Sequence, residues 1–194
     1  YPEDKYVNFA RFKMLYENSA LPHSVIRRYP AEIAWYIIHS FIKGQDADQE
    51  AFAPKDFMKL PKKDRSTVDQ AIYRGIYENV WNPFYRKLRE KGYWDRLDLV
   101  RDILGMYDDI PREQKYMAIL CDEAQDFTRV ELQLLIRLSL FSDYNLENMD
   151  RVPITFAGDP FQTVNPTGFS LVKLKRLFKD ELTEGLKFGL KKDL

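Results

Sequence analysis

The chain has 194 residues, 45% of them hydrophobic and 31% charged, which is enough to bury a core in one domain or in one domain plus a smaller subdomain. Thirty basic and thirty acidic residues cancel, so a strongly basic whole-chain footprint for nucleic acid is excluded and only local patches remain. One cysteine, Cys121, excludes a disulfide framework within the chain and suits a reducing compartment, the cytoplasm; no run of about 18 apolar residues suggests a membrane span.

Before about residue 115 the pattern is helical. In "HSVIRRYPAEIAWYIIHSFIKG", Pro30 suits a first helical turn, Ile33, Ile37, Ile38 and Phe41 recur at helical spacing, and Gly44 is a stop. In "DRSTVDQAIYRGIYENVW", Val68, Ile72, Ile76 and Val80 lie four apart on one predicted face, and Asn82-Pro83 should break or kink that helix. Phe84 and Leu88 then belong to a second short helix that ends at Gly92. "DRLDLVRDILGMY" predicts another amphipathic helix through Leu97, Val100, Ile103, Leu104 and Tyr107.

After residue 115 the pattern alternates. Met117 to Cys121 is a continuous apolar run, which reads as a strand buried on both faces. Thr128-Arg-Val-Glu131 is a capping box, so a helix starts there and continues through Leu132, Leu135, Ile136 and Phe141. "VPITFAGD" is a second short apolar run, and "SLVKLKRLF" a helix with Leu171, Leu174, Leu177 and Phe178 on one face. Strand, loop, helix, strand, loop, helix implies an α/β unit with parallel strands.

The two loops after these strands would share one rim, where ligands of parallel sheets bind. The first loop supplies Asp122, Glu123, Gln125 and Asp126; the second supplies Asp159 and Gln162. Carboxylates suit a hard cation such as magnesium, a neighbouring carboxylate can deprotonate a water, and an amide can hold that water or a phosphate oxygen. The alternative is that such acids merely favour the positive end of a helix, by about 0.3–1 kcal/mol each. The capping box weighs against it, because Asp122 and Glu123 precede Thr128 by several residues.

At these residues the chain resembles the UvrD/Rep-like superfamily 1 DNA helicases. "ILCDEAQDFTRVELQLL" is similar to their motif II, and "ITFAGDPFQTVNPTGF" to their motif III. "GYWDRLDLVRDIL" is similar to the aromatic-Asp-Asp-Leu helix that precedes motif II. The resemblance implies that residues 1–90 form the helical accessory subdomain inserted in the first RecA-like domain, and that 91–194 form part of that P-loop ATPase domain. It implies that Asp122 holds Mg2+ through water, that Glu123 is the base for the water attacking the γ-phosphate of ATP, and that Gln162 senses that phosphate. It further implies that Gln125 and Asp126 link the two motifs and that Asp159 helps fix the motif III turn.

Two departures qualify the expectation. The motif III positions that carry base-stacking aromatics in many relatives are here Asn165 and Thr167; Phe169 either substitutes as a DNA contact or packs in the core. No G-x-x-x-x-G-K-[ST] phosphate loop occurs, and a second RecA-like domain is not represented. The expectation is therefore a helicase fragment, inactive alone and binding neither ATP nor Mg2+ tightly. In the full-length protein, with its remaining domains, it would couple hydrolysis to movement on single-stranded DNA and to duplex unwinding. The same residues fit a nucleic-acid-dependent NTPase switch or defence protein without unwinding, or a non-catalytic interaction module of the same fold.

Overall fold

A computed structural model describes residues 1–61, 65, 68–107, 110–139, 154–159 and 171–189, with the backbone alone at 112, 171 and 182–189. The chain divides into two compact units, Tyr1–Leu99 and Val100–Leu194. Residues 91–99, grouped with the second half in the sequence reading, pack in the first unit: Trp94 bridges to Tyr6, and Asp95 and Asp98 bind Lys43.

The first unit is helical. Asn8 caps α1 (Phe9–Glu17) by accepting from the Arg11 amide at 2.9 Å. Two short helices follow, α2 (His23–Arg28) and α3 (Ala31–Ile37). Pro30 sits one residue before α3. α3 widens into π-helix over Ile38–Lys43 and stops at Gly44. The extra residue turns almost the whole segment inward: Ile38, Ser40, Phe41, Ile42 and Lys43 are all buried. Ile33, by contrast, is exposed.

Pro54 opens the single-turn helix α4 (Pro54–Phe57). The next helix, α5 (Gln70–Ile76), is capped by Asp69, whose carboxylate accepts from the Ala71 and Ile72 amides. Contrary to the break expected at Asn82-Pro83, the helix does not end there. It continues as π-helix from Tyr77 to Tyr85 and passes into α6 (Arg86–Glu90). A regular α-helix would press the Pro83 ring against the carbonyl four residues back; the wider turn relieves that clash. The Asn79 amide also donates to the Gly75 carbonyl at 2.8 Å. Ile76 and Val80 are buried as expected; Val68 is buried but precedes α5, so it does not share its face, and Ile72 in the first turn of α5 is exposed.

The core of this unit is aromatic. Phe12 and Tyr16 stack at 5.4 Å, and Phe57 and Tyr73 at 4.0 Å. Their hydroxyls are satisfied inside: Tyr16 donates to the Tyr29 carbonyl and Tyr73 to the Phe52 carbonyl. Burial pushes the Tyr16 phenol up to about 12 and raises Tyr73 as well, so both remain neutral donors.

α7 (Arg96–Gly105) runs across the division between the units. The second unit is α/β. β1 (Ile119–Cys121) leads to α8 (Arg129–Leu138), and β2 (Ile154–Phe156) precedes α9 (Leu171–Gly189). Among the described residues the sheet has two strands, parallel, with Ile119 opposite Ile154, Leu120 opposite Thr155 and Cys121 opposite Phe156. Leu132, Ile136, Ile154, Leu174 and Leu177 form its core. The expected two-sided burial of the first strand is not what the structure shows: Leu120 is 83% exposed and Met117 80% exposed. α8 ends at Leu138, and Phe141, expected to continue it, lies outside the described residues. No helix among the described residues is long and apolar enough to cross a membrane.

Candidate functional site

Parallel pairing brings the carboxyl ends of β1 and β2 to one rim. Two backbone hydrogen bonds extend the pairing beyond the strands: the Ala157 amide donates to the Cys121 carbonyl at 2.8 Å, and the Ala124 amide to the Ala157 carbonyl at 2.8 Å. Residues 121–124 and 157–158 are thus held side by side by backbone hydrogen bonds.

Asp122 and Glu123 are exposed on this rim. The Asp122 carboxylate accepts from the Glu123 amide at 2.9 Å. Glu123 has φ 52° and ψ 41°, the left-handed conformation, and is the one non-glycine residue with positive φ among the described residues. That backbone costs on the order of 1–3 kcal/mol for an ordinary residue. It turns the chain sharply into a 3-10 turn, Ala124–Asp126, closed by the Asp126 amide donating to the Glu123 carbonyl at 2.9 Å.

Inside this turn lies Gln125, 1% exposed. Its amide nitrogen donates to Glu123 Oε2. Its amide oxygen lies against Gly158: a Cβ on residue 158 would sit 2.3 Å from Gln125 Oε1 and 3.1 Å from the Ala124 nitrogen. Asp126 and Asp159 are half-buried nearby in sequence, on the first and second loop respectively.

No protein-family model matches the chain, and neither does a curated protein or a solved structure. The reading of the site therefore rests on its own residues.

The structure brings Glu123 and Gln125 into direct contact and sets Gln125 against the second loop. Gln162, Asn165, Thr167 and Phe169 lie outside the described residues. Among the described residues, no three His, Cys, Asp or Glu side chains gather closely enough to hold a metal ion. Among the described residues, Asp122 as a ligand would thus be joined by at most one further such side chain. That suits magnesium, which keeps several waters and is often held by one or two carboxylates together with substrate phosphates.

Cys121 is buried at the end of β1. Burial, with the neighbouring Asp122 charge, pushes its thiol up, so it stays protonated and is a poor nucleophile.

The capping box keeps Asp122 and Glu123 out of the α8 terminus. The Glu131 amide donates to Thr128 Oγ1, while the Thr128 amide and hydroxyl both donate to Glu131 Oε2 at 2.8 Å. Thr128 is fully buried, so Thr128→Ala leaves Glu131 with fewer donors in a dry setting. We expect a loss of about 1–2 kcal/mol. Urea denaturation of the variant checks this, with Thr128→Ser expected to retain most of the stability.

Gly158 is the site residue that sequence reading did not single out. It stood in the sequence as the glycine of the Gly-Asp pair closing "VPITFAGD" and of the motif III resemblance, a position where a close backbone approach is common.

Proposed function

We propose that this chain carries the metal-and-base half of a nucleoside triphosphate hydrolysis site, in a UvrD/Rep-like superfamily 1 DNA helicase or translocase. The observation that carries the proposal is the placement of Glu123: an exposed carboxylate at the rim of parallel strands, in a left-handed turn, with one oxygen taken by a buried amide.

A carboxylate held this way has a defined task. Gln125 occupies Oε2, which leaves Oε1 to accept a proton from a water at the rim. Asp122, also exposed and next to it, is the residue that would hold a hydrated Mg2+. Bound there, the ion would neutralise developing charge on the phosphates. The donor set fits that group: carboxylate oxygens for a hard cation, with the neighbouring Cys121 sulfur buried. This chain has no phosphate-gripping loop, so residues elsewhere in the full-length protein would grip the triphosphate.

Asn165 and Thr167 favour a second reading, in which hydrolysis is coupled to nucleic acid without unwinding, because neither side chain can stack on a base. The full-length protein distinguishes the two. ATPase stimulated by single-stranded DNA together with displacement of a duplexed strand supports a helicase; stimulated ATPase without displacement supports the second reading. No ATPase with any nucleic acid would sink both.

A further inference from the structure

We propose that Gly158 is a positioning residue for Glu123, acting through Gln125. The inference rests on the reading of Glu123 as the base and assigns a task to a residue of the second loop.

Gly158 is not required for its backbone conformation. Gly92 is the glycine with positive φ among the described residues, so a left-handed backbone is not what calls for glycine at 158. What residue 158 lacks is space. An added Cβ would lie 2.3 Å from Gln125 Oε1, 3.1 Å from the Ala124 nitrogen and 3.3 Å from the Gln125 nitrogen. Real atoms do not approach at 2.3 Å, so one group must move.

The two backbone atoms are poorly placed to give way. The Ala124 amide is bonded to the Ala157 carbonyl, which ties both loops together. The Gln125 side chain is the softer element, and it is 1% exposed. Its amide is rigid and planar: displacing Oε1 also displaces Nε2, the atom that donates to Glu123 Oε2. The absence of a side chain at 158 thus sets where Gln125 lies, and Gln125 sets the orientation of the Glu123 carboxylate. Gly158 thereby acts on the base through Gln125.

The contact can be read in this chain directly, by NMR of the Gln125 side-chain amide. In the wild-type chain one of its protons is bonded to Glu123, so its resonance moves in Glu123→Ala and it exchanges slowly with water. Gly158→Ala is expected to reproduce the Glu123→Ala shift and speed that exchange, while the Ala124 and Ala157 amides stay protected. In a Gln125→Ala background, Gly158→Ala is expected to change stability little, because the clashing group is gone. Should Gly158→Ala fail to fold, a folded Gln125→Ala/Gly158→Ala chain locates the clash at Gln125 and supports the proposal. If both fail, the clash is with the backbone and the proposal falls. It also falls if the Gln125 resonance is unchanged in Gly158→Ala.

In the full-length protein, Gly158→Ala is expected to lower kcat for ATP roughly 100-fold at unchanged KM, the scale of a misplacement of about 1 Å. A full-length protein without ATPase would remove the base role but leave the Gln125 result standing, so the two readings fail separately. An unchanged kcat in an active protein would overturn the positioning role.

Discussion

Replacing Lys43 with alanine should cost the first unit about 3–5 kcal/mol, most of what a small domain has. Lys43 is 0% exposed, and its Nζ lies 2.6 Å from Asp95 Oδ2 and 2.8 Å from Asp98 Oδ2. Tyr85 donates its hydroxyl to Asp95, and Arg89 Nε lies 3.0 Å from Asp98 Oδ1. The two carboxylates also cap α7: Asp95 Oδ1 accepts from the Leu97 and Asp98 amides, and Asp98 Oδ2 accepts from the Asp95 amide. Removing the ammonium leaves two carboxylates in a dry core without the cation that bonds to both. Guanidinium denaturation of Lys43→Ala measures the cost, and a loss below about 1 kcal/mol would refute the burial argument.

The same cluster makes a sharper comparison possible. Lys43→Met with Asp95→Asn and Asp98→Asn removes the charges together. Asparagine oxygens can still cap the helix, and methionine fills most of the lysine volume. A buried ion cluster replaced as a unit is often neutral, so the triple variant should recover much of the loss seen in Lys43→Ala. If it is as unstable as the single variant, packing rather than uncompensated charge dominates.

Acid should unfold this unit through Asp95. Burial is the largest single influence and would raise its carboxyl, but the Lys43 and His39 charges and the hydrogen bonds from Lys43 and Tyr85 together outweigh it, and the net direction is down. A group with a depressed folded value contributes stability above its unfolded value, near 4, and loses it as pH falls toward the folded value. The contribution is therefore complete at neutral pH and declines below about pH 4. Tyr85 does not add a competing step there, since burial and the Asp95 charge hold its phenol well above the ordinary range. Asp95→Asn should flatten the acid limb of the stability profile.

None of this cluster was legible in "IIHSFIKG" or "YWDRLD". A lysine at the end of an apolar run reads as a cation at a helix terminus, with its head in water. Its burial depends on two things a local window cannot show: the π-widening of 38–43, and partners 52 and 55 residues away. Both π-segments end on residues of this cluster, Lys43 and Tyr85, so one extra residue in each helix delivers the groups that bind Asp95. The Thr128 cap and the alternation of β1, α8, β2 and α9 were legible because their signals are local. The burial of β1 was misjudged for a related reason. A continuous apolar run states that side chains are apolar, while what covers Leu120 is decided by other elements.

The candidate site divides the same way. Residue type and position after a strand identified Asp122 and Glu123. The packing of Gln125 on Gly158 is a distance between two loops, and only the fold reveals it. That packing now decides how the proposed chemistry is best tested. Glu123→Gln in the full-length protein should lower kcat for ATP hydrolysis by about 10²–10⁴-fold with nucleotide affinity little changed. Glutamine is the informative replacement because its side-chain oxygen can still accept from Gln125 Nε2. The turn and its left-handed residue are therefore kept, and only the ability to take a proton is lost. Glu123→Ala removes the acceptor as well, so its effect mixes lost chemistry with a disturbed Gln125. A Glu123→Gln protein that hydrolyses ATP within a few-fold of wild type would show that the proton goes elsewhere. If only Glu123→Ala were impaired, Glu123 would act as a strut for Gln125 and not as a base.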